Sequence, residues 1–298
     1  MRASLFSLAL SVALAAVLPT ALAQPNPGQT MEAPVLQRDD LAYRFSTLTV
    51  DAVDGQRHYQ LWIGIPKRPA PAAGYPALWM LDGNAAIGAL SPEQLDGLAA
   101  GQAPVLVAVG YRTEARIDRA GRTLDYTPPV KGLAQQQDPL TGLPSGGVDA
   151  FLDLLEQRMR PAVGQMVSLD PRHQMLWGHS YGGLAVLHAL FTRPGAFTDY
   201  AAASPSLWWR QGAVVADAAG LEQRLAGQHP RLLLMKGSAE GVPPGQVSKA
   251  DADAGARRLD AALAEAPGVT VRSKVFEGLG HGPMLPASLG YVVEQLSH

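Results

Sequence analysis

Continuous apolar runs recur along this chain, and each one ends at or next to a glycine or a polar turn. They cover residues 75–81, 105–110, 174–178 and 232–235. Runs of this length without alternation are typical of strands that are buried on both faces of a parallel sheet. Residues 45–53 and 60–65 indicate an earlier, partly exposed strand pair, and residues 270–276 indicate a more alternating strand. We therefore expect a mostly parallel central sheet.

Helical patterns separate these runs. Residues 148–163 place their apolar side chains on one stripe, and residues 182–191 are compact and apolar, as expected of a helix packed under a sheet. Further helices are predicted over residues 252–264 and 287–296, and a short one after the capping Ser91. Strands that alternate with helices predict an α/β fold with helices on both faces of the sheet.

Residues 41–298 show no repeat and no internal boundary, so we interpret them as one domain. Before this domain, residues 1–23 combine Arg2, an uncharged apolar stretch and a small-x-small cleavage site, which are the features of a secretory signal peptide. Residues 24–40 lack periodicity and are predicted to be a flexible leader. A cleaved signal without a cysteine for lipid attachment predicts a protein located in the periplasm.

One long irregular segment interrupts the domain, from about residue 112 to residue 147. Gly, Pro, Gln and Thr dominate it, and loops of this length in a compact domain are usually functional or disordered. We therefore predict that residues 112–147 are a cover loop over the functional site.

Charge and cysteine content narrow the possible partners. The chain carries 24 basic and 26 acidic residues, a formal net charge of −2, which gives no indication of nucleic-acid or anionic-membrane binding. It contains no cysteine, so no disulfide contributes to the fold. After the signal, no apolar run approaches the ~20 residues that span a bilayer, and we expect no membrane insertion.

The segment Gly178-His179-Ser180-Tyr181-Gly182 has the form G-x-S-x-G. An apolar strand precedes it and a helix of small residues follows, which is the context of a nucleophile elbow. The segment therefore predicts an α/β-hydrolase fold with Ser180 as the nucleophile. Backbone N–H groups at the start of the following helix would face a developing oxyanion. Ester hydrolysis of this kind requires no cofactor and no metal.

His281 is the predicted general base. In this fold the base follows the nucleophile and comes last in chain order, and residues 278–284 lie between the last predicted strand and the last helix. Of the other histidines, His179 lies inside the elbow and His188 lies in the helix after it, where we expect structural roles.

The predicted oxyanion hole consists of the backbone N–H groups of Tyr181 and Asn84. Asn84 belongs to the turn Asp82-Gly83-Asn84, which follows a central strand, and Gly83 allows close approach of the backbone. The alternative interpretation is an ordinary turn, because these residue types are common in turns.

An acid that orients the histidine is expected on the loop after the fourth apolar run. Glu240 has that position, whereas Asp251 and Asp253 lie at the start of a helix, where capping explains them. The glycines near Glu240 favour a flexible turn that directs its side chain into solvent. Glu240 is therefore a candidate for the acid.

Taken together, these motifs resemble one family, the periplasmic ferric-enterobactin and salmochelin esterases. The similar segments cover residues 75–84, 107–111, 125–128, 176–184, 203–207 and 279–284. The resemblance implies hydrolysis of the serine trilactone of a catecholate siderophore, so that iron is bound less tightly. It also implies a serine–histidine dyad without a carboxylate in the usual place, and siderophore-uptake proteins as partners.

The resemblance places Arg122 against the substrate, and Asp82 and Trp208 are further candidates for substrate contact. Arginine suits the oxygens of a bulky ferric tris-catecholate anion, and the predicted cover loop contains five basic residues: Arg112, Arg116, Arg119, Arg122 and Lys131. Acidic neighbours dilute this patch, so a solvated loop with ordinary charges is the alternative. Trp208 is either an apolar wall of the pocket or a core residue.

Two other functions stay open at this point. One is hydrolysis of another acyl ester, such as a feruloyl, acetyl or thiol ester, by the same fold. The other is a non-catalytic siderophore-binding protein with a vestigial elbow, and the intact Gly178, Ser180, Gly182 and His281 argue against it.

Overall fold

The computed structural model describes residues 28–242 and 248–298, with an eight-stranded sheet at their centre. The strands are β1 (Tyr43–Asp51), β2 (His58–Pro66), β3 (Tyr75–Met80), β4 (Val105–Tyr111), β5 (Leu169–His179), β6 (Asp199–Ala203), β7 (Arg231–Gly237) and β8 (Thr270–Phe276). Their spatial order is β1-β2-β4-β3-β5-β6-β7-β8. Strand β2 pairs antiparallel with β1 and β4, and the other neighbouring pairs are parallel. The sheet is therefore mostly parallel, as predicted, and the fold is that of an α/β hydrolase.

Helices cover both faces of the sheet. They are α1 (Gly83–Gly88), α2 (Pro92–Ala100), α3 (Arg119–Asp125), α4 (Val148–Leu154), α5 (Arg160–Met166), α6 (Tyr181–Thr192), α7 (Leu221–Leu225), α8 (Lys249–Ala264) and α9 (Met284–Leu296). Side chains alternate across a strand, and β3 shows the consequence. Trp79 packs in the core that contains Leu184 of α6, whereas Leu78 packs in the core that contains Leu289 of α9. The sheet thus separates two buried cores.

Among the strands in the described part of the chain, β6 is the one that the apolar pattern did not predict. Its sequence, Asp-Tyr-Ala-Ala-Ala, has no β-branched residue, and alanine is depleted in strands. All five residues are nevertheless buried, and β6 pairs with β5 on one side and β7 on the other. Small side chains fit this central position between two cores, so tertiary context outweighs local propensity here.

The segment 112–147 is more regular than the predicted irregular loop. It contains α3 and an isolated bridge between Gln137 and Pro144. At its end, the backbone N–H of Gly147 donates to the carbonyl of Leu124 at 2.8 Å. Internal hydrogen bonds therefore hold much of this segment in place.

From residue 28 onward, the segment predicted to be a flexible leader makes defined contacts with the domain. The N–H of Met31 donates to the carbonyl of Glu114 at 2.8 Å, and the N–H of Arg116 donates to the carbonyl of Gln29 at 2.8 Å. Val35 is only 1% exposed. Backbone pairing and burial of this apolar side chain fix the segment, although its sequence carries no periodic signal.

The signal-peptide prediction falls on residues 1–23, which lie outside the described residues. It stays a prediction. In the described part of the chain, no helix has both the length and the apolar character needed to cross a membrane.

Candidate active site

Ser180 occupies the sharp turn between β5 and α6. Its backbone has φ 63° and ψ −116°, a conformation that non-glycine residues rarely adopt. The turn brings β5 and α6 so close that a Cβ at Gly178 would lie 2.5 Å from the carbonyl oxygen of Gly182. Glycine at 178 is therefore required by close backbone approach, and Ser180 projects at the carboxyl edge of the sheet.

Two hydrogen bonds connect Ser180, His281 and Glu240 in series. Oγ of Ser180 lies 3.0 Å from Nε2 of His281, and Nδ1 of His281 lies 3.0 Å from Oε2 of Glu240. The side chains of His281 and Glu240 are 24% and 18% exposed, so substrate and water can reach a site that is still largely enclosed. This is the geometry of a nucleophile, a base and an acid that orients the base.

Glu240 does not point into solvent, which corrects the prediction made from its neighbouring glycines. Its Oε1 accepts hydrogen bonds from Oγ of Ser204 at 2.6 Å and from the N–H of Gly237 at 2.5 Å. Burial raises the pKa of Glu240, but the hydrogen bonds from His281, Ser204 and Gly237 outweigh it and hold the pKa below its ordinary value. The dyad implied by the resemblance therefore does not describe this site, which contains an ionised carboxylate beside His281.

The structure places both predicted oxyanion donors at the beginnings of helices. Tyr181 is the first residue of α6 and Asn84 is the second residue of α1, where backbone N–H groups lack intrahelical partners. The side chain of Asn84 is buried and fixes its turn: Nδ2 donates to the carbonyls of Tyr111 and Thr113, each at 3.1 Å. A Cβ added at Gly182, the second residue of α6, would lie 3.6 Å from Oδ2 of Asp82, the residue before α1. The first turns of α1 and α6 are therefore adjacent.

Arg122 and Asp82, both predicted to contact substrate, form an ion pair with each other, and their contact with substrate stays a prediction. Nε and Nη2 of Arg122 donate to Oδ1 and Oδ2 of Asp82 at 2.8 and 3.0 Å. Nη2 also donates to the carbonyl of His179 at 3.3 Å. Both side chains are buried. Burial opposes the charge on Arg122, but the Asp82 carboxylate outweighs it, so the pKa of Arg122 is raised.

The other residues predicted to contact substrate differ in how exposed their side chains are. Trp208 is half-buried, and its ring lies 6.1 Å from that of Tyr181, so it can form a wall of the site. Arg116 and Arg119 are half-exposed, whereas Arg112 and Lys131 are exposed. The basic residues of the predicted patch therefore differ in exposure, from the buried Arg122 to the exposed Arg112 and Lys131.

Sequence reasoning did not predict the contacts by which three residues support the triad and the oxyanion hole. Ser204 holds Glu240, His179 contacts the backbone of His281, and buried Asp138 accepts a hydrogen bond from the Tyr181 hydroxyl. Ser204 lies in a segment that carries the family resemblance, which is a usable signal. No sequence signal marked Asp138, because an acidic residue in a polar loop is expected to be exposed to solvent. In residues 28–242 and 248–298, no group of histidine and acidic side chains has a metal-binding arrangement.

Comparison with known proteins assigns this arrangement to a family. The model of the Esterase family, described as "Putative esterase", matches residues 53–281. This chain belongs to that esterase family. The matched region includes Ser180, Glu240 and His281.

Similar proteins match this esterase over most of its length. The apo-salmochelin esterase of Escherichia coli O6:H1 is 36% identical over 273 residues, which is 88% of this chain and 82% of that protein. The ferri-bacillibactin esterase BesA of Bacillus subtilis is 31% identical over 245 residues, 77% of this chain and 81% of that protein. The solved structure of the enterobactin hydrolase IroE in complex with DFP has a TM-score of 0.74 at 36% identity, covering 89% of this chain and 99% of that one. Family and geometry together make this chain a serine esterase.

Proposed function

We propose that this esterase hydrolyses the ester bonds of a catecholate siderophore trilactone through a Ser180 acyl-enzyme. The observation that carries the proposal is the series of two 3.0 Å hydrogen bonds from Ser180 through His281 to Glu240. The substrate class is supported by the relatives, which are named as esterases of salmochelin and bacillibactin. A vestigial elbow would not require this complete geometry.

Acylation begins when Oγ of Ser180 attacks a lactone carbonyl while Nε2 of His281 takes the hydroxyl proton. Glu240 stabilises the imidazolium that forms and fixes its orientation. The oxyanion is stabilised by the backbone N–H groups of Tyr181 and Asn84. Collapse of this intermediate breaks the lactone C–O bond, and His281 returns the proton to the departing serine alcohol.

Deacylation repeats these steps with water as the nucleophile. His281 removes a proton from water, the hydroxide adds to the acyl carbonyl, and Ser180 leaves with the proton that His281 returns. The product is a linear ester with one new carboxylate and one new hydroxyl. Opening the ring removes the preorganisation of the three catechols, so the iron is bound less tightly.

Two arginines near the elbow support an anionic substrate. The side chains of Arg116 and Arg119 form no ion pair with any residue that the structure describes. Burial lowers the pKa of His179, and the charge of Arg116 adds to that lowering, so this charge is close to the site. Both guanidinium groups are therefore free to face the oxygens of a ferric tris-catecholate.

We further propose that the protein acts in the periplasm and receives its substrate from siderophore-uptake proteins. The support is the signal-peptide pattern of residues 1–23. Fractionation of cells that express the full chain, with amino-terminal sequencing of the product, tests the location.

The substrate is tested by incubating the protein with ferric enterobactin, with iron-free enterobactin and with p-nitrophenyl acetate, followed by mass analysis of the products. We expect linear catechol-serine fragments from the trilactone and none with Ser180→Ala. Cleavage of the aryl ester with an intact trilactone would redirect the assignment to another acyl ester. Binding of the siderophore with no cleavage of any ester would favour the non-catalytic alternative.

A further inference from the structure

His179, the residue before the nucleophile, connects the elbow to the loop that carries His281. It is 6% exposed and is the last residue of β5. Its Nε2 lies 3.0 Å from the backbone carbonyl oxygen of His281. Because a carbonyl only accepts, Nε2 must carry the proton and donate it, which fixes the tautomer of His179.

The two imidazole rings also pack against each other. Their centroids are 4.7 Å apart with an angle of 39° between the planes. Burial lowers the pKa of His179 well below its ordinary value, and the charges of His281 and Arg122 lower it further. His179 therefore stays neutral, and the imidazolium that forms on His281 packs against a neutral ring rather than a second positive charge.

The loop that carries His281 needs such a connection because glycine dominates it. Glycines occupy positions 278, 280 and 282, and Gly278 has φ 72°. Two hydrogen bonds join this loop to the turn after β7. The N–H of Gly278 donates to Oγ of Ser238 at 2.8 Å, and the N–H of Ala239 donates to the carbonyl of Leu279 at 3.1 Å. These contacts fix the loop to the turn that carries Glu240, whereas His179 fixes it to the strand that carries Ser180.

We propose that His179 is a positioning residue that sets the distance between Ser180 and His281. The inference rests on the proposed roles of these two residues in ester hydrolysis. The backbone of His179 is itself anchored, because Nη2 of Arg122 donates to the carbonyl of His179 at 3.3 Å. A displacement of about 1 Å between reacting groups lowers rates about 100-fold, so loss of one tether on a glycine-rich loop has a direct effect on the proton transfer.

Three variants distinguish the role of the hydrogen bond from His179 to His281 from the role of the contact between their rings. His179→Gln keeps an N–H donor near the position of Nε2, His179→Phe keeps a ring without a donor, and His179→Asn carries an amide too short to reach the carbonyl. We expect kcat for p-nitrophenyl acetate within about fivefold of wild type for Gln, but 10- to 100-fold lower for Phe and Asn, as expected for displacements of up to about 1 Å. KM should change less than about twofold, since substrate contacts are unaffected. The control is His229→Phe, at an exposed histidine.

A second readout makes the result independent of the substrate. The rate at which DFP modifies Ser180 depends on activation of the hydroxyl by His281 and should follow the same order. If Phe and Asn stay within threefold of wild type, or if Gln is as slow as they are, the proposal is wrong. If Phe does not fold, Asn decides. A wild-type protein that reacts with DFP but cleaves no ester would contradict the proposed function, while the DFP rates would still decide the role of His179.

Discussion

The carboxylate of Asp138 accepts a hydrogen bond from the hydroxyl of Tyr181 at 2.8 Å. The same oxygen accepts from Nε1 of Trp209 at 2.8 Å, and the other oxygen accepts from the N–H groups of Leu140 and Thr141 at 3.1 and 2.7 Å. Asp138 is 2% exposed. One buried carboxylate thus ties the segment 112–147 to the residue whose N–H belongs to the oxyanion hole.

We expect Asp138→Asn to destabilise the protein strongly. Both oxygens of Asp138 accept from donors, and the NH2 group of asparagine cannot accept where it replaces one of these oxygens. With the amide NH2 directed at Tyr181 and Trp209, the tyrosine hydroxyl can accept but the indole N–H is left unpaired, which corresponds to a loss of roughly 1–3 kcal/mol in the free energy of unfolding. Tyr181→Phe is the matched variant: it removes one donor, keeps the backbone N–H and should retain kcat within about threefold. Urea unfolding and ester kinetics measure both. Equal stability of Asp138→Asn and wild type would show that this anchor is unimportant.

Glu240→Gln should lower kcat by about 10³–10⁴-fold with the fold intact. Loss of the carboxylate of a triad costs about 10⁴ in rate, because the histidine tautomer and the imidazolium are no longer stabilised. Glu265→Gln, at an exposed acid, is the control. Steady-state kinetics at fixed pH, with circular dichroism for folding, provide the measurement. A loss of less than about 100-fold would mean that backbone groups alone orient His281.

The contrast between Ser180 and Glu240 shows what sequence could and could not predict. Ser180 lies in a local motif whose strand–turn–helix context is contiguous, and His281 follows from chain order, so both positions were predictable. The orientation of Glu240 depends on Ser204, 36 residues earlier, and on the N–H of Gly237. Nearby glycines were compatible with either a flexible turn or a fixed one, and only the packed sheet edge decides between them.

Asp82 and Arg122 illustrate the same limit in another form. They lie 40 residues apart in the sequence. A family resemblance can assign a role to each residue, but it does not show that the two side chains bind each other. Arg122→Ala leaves a buried carboxylate without its cation, which destabilises a protein by about 3–5 kcal/mol. Because the pair borders the turn that carries Asn84, kcat should fall similarly for ferric enterobactin and for p-nitrophenyl acetate.

The double variant Arg122→Ala/Asp82→Asn tests this interpretation of Arg122. Removing both charges should recover part of the stability that the single variant loses, as a coupled pair requires. Thermal unfolding and kinetics on both substrates are the measurements. A loss confined to the ferric siderophore, with unchanged stability, would instead assign Arg122 a direct contact with the substrate.

His188 gives the fold a pH dependence that is separate from catalysis. This buried residue of α6 bonds two carboxylates, Asp217 through Nδ1 at 2.8 Å and Asp149 through Nε2 at 2.9 Å. Burial lowers the pKa of His188, but the hydrogen bonds with both carboxylates outweigh it, so the pKa is raised. The hydrogen bond with His188 also lowers the pKa of Asp149, although burial opposes this. Arg193 is a further cation at Asp149, 3.7 Å away.

The signs of these two shifts define the pH window. A raised pKa for His188 stabilises the fold fully below its unfolded value of about 6.5, and that stabilisation is lost as pH rises through the folded pKa. A lowered pKa for Asp149 stabilises the fold above about 3.9 and is lost as pH falls through its folded pKa. The ion pair therefore contributes most between about pH 4 and pH 6.5.

We predict that the difference in Tm between wild type and His188→Gln is largest near pH 5.5 and shrinks towards pH 9, because neutral His188 loses its charged contacts. Groups that His188 does not contact titrate alike in both proteins and cancel in this difference, so it reports on His188 and the two carboxylates that it contacts. His229→Gln, at an exposed position, should show no such trend. Scanning calorimetry at half-unit intervals of pH provides the measurement. A difference that is constant from pH 5.5 to 9 would mean that folding does not raise the pKa of His188, and a difference that grows with pH would mean that folding lowers it.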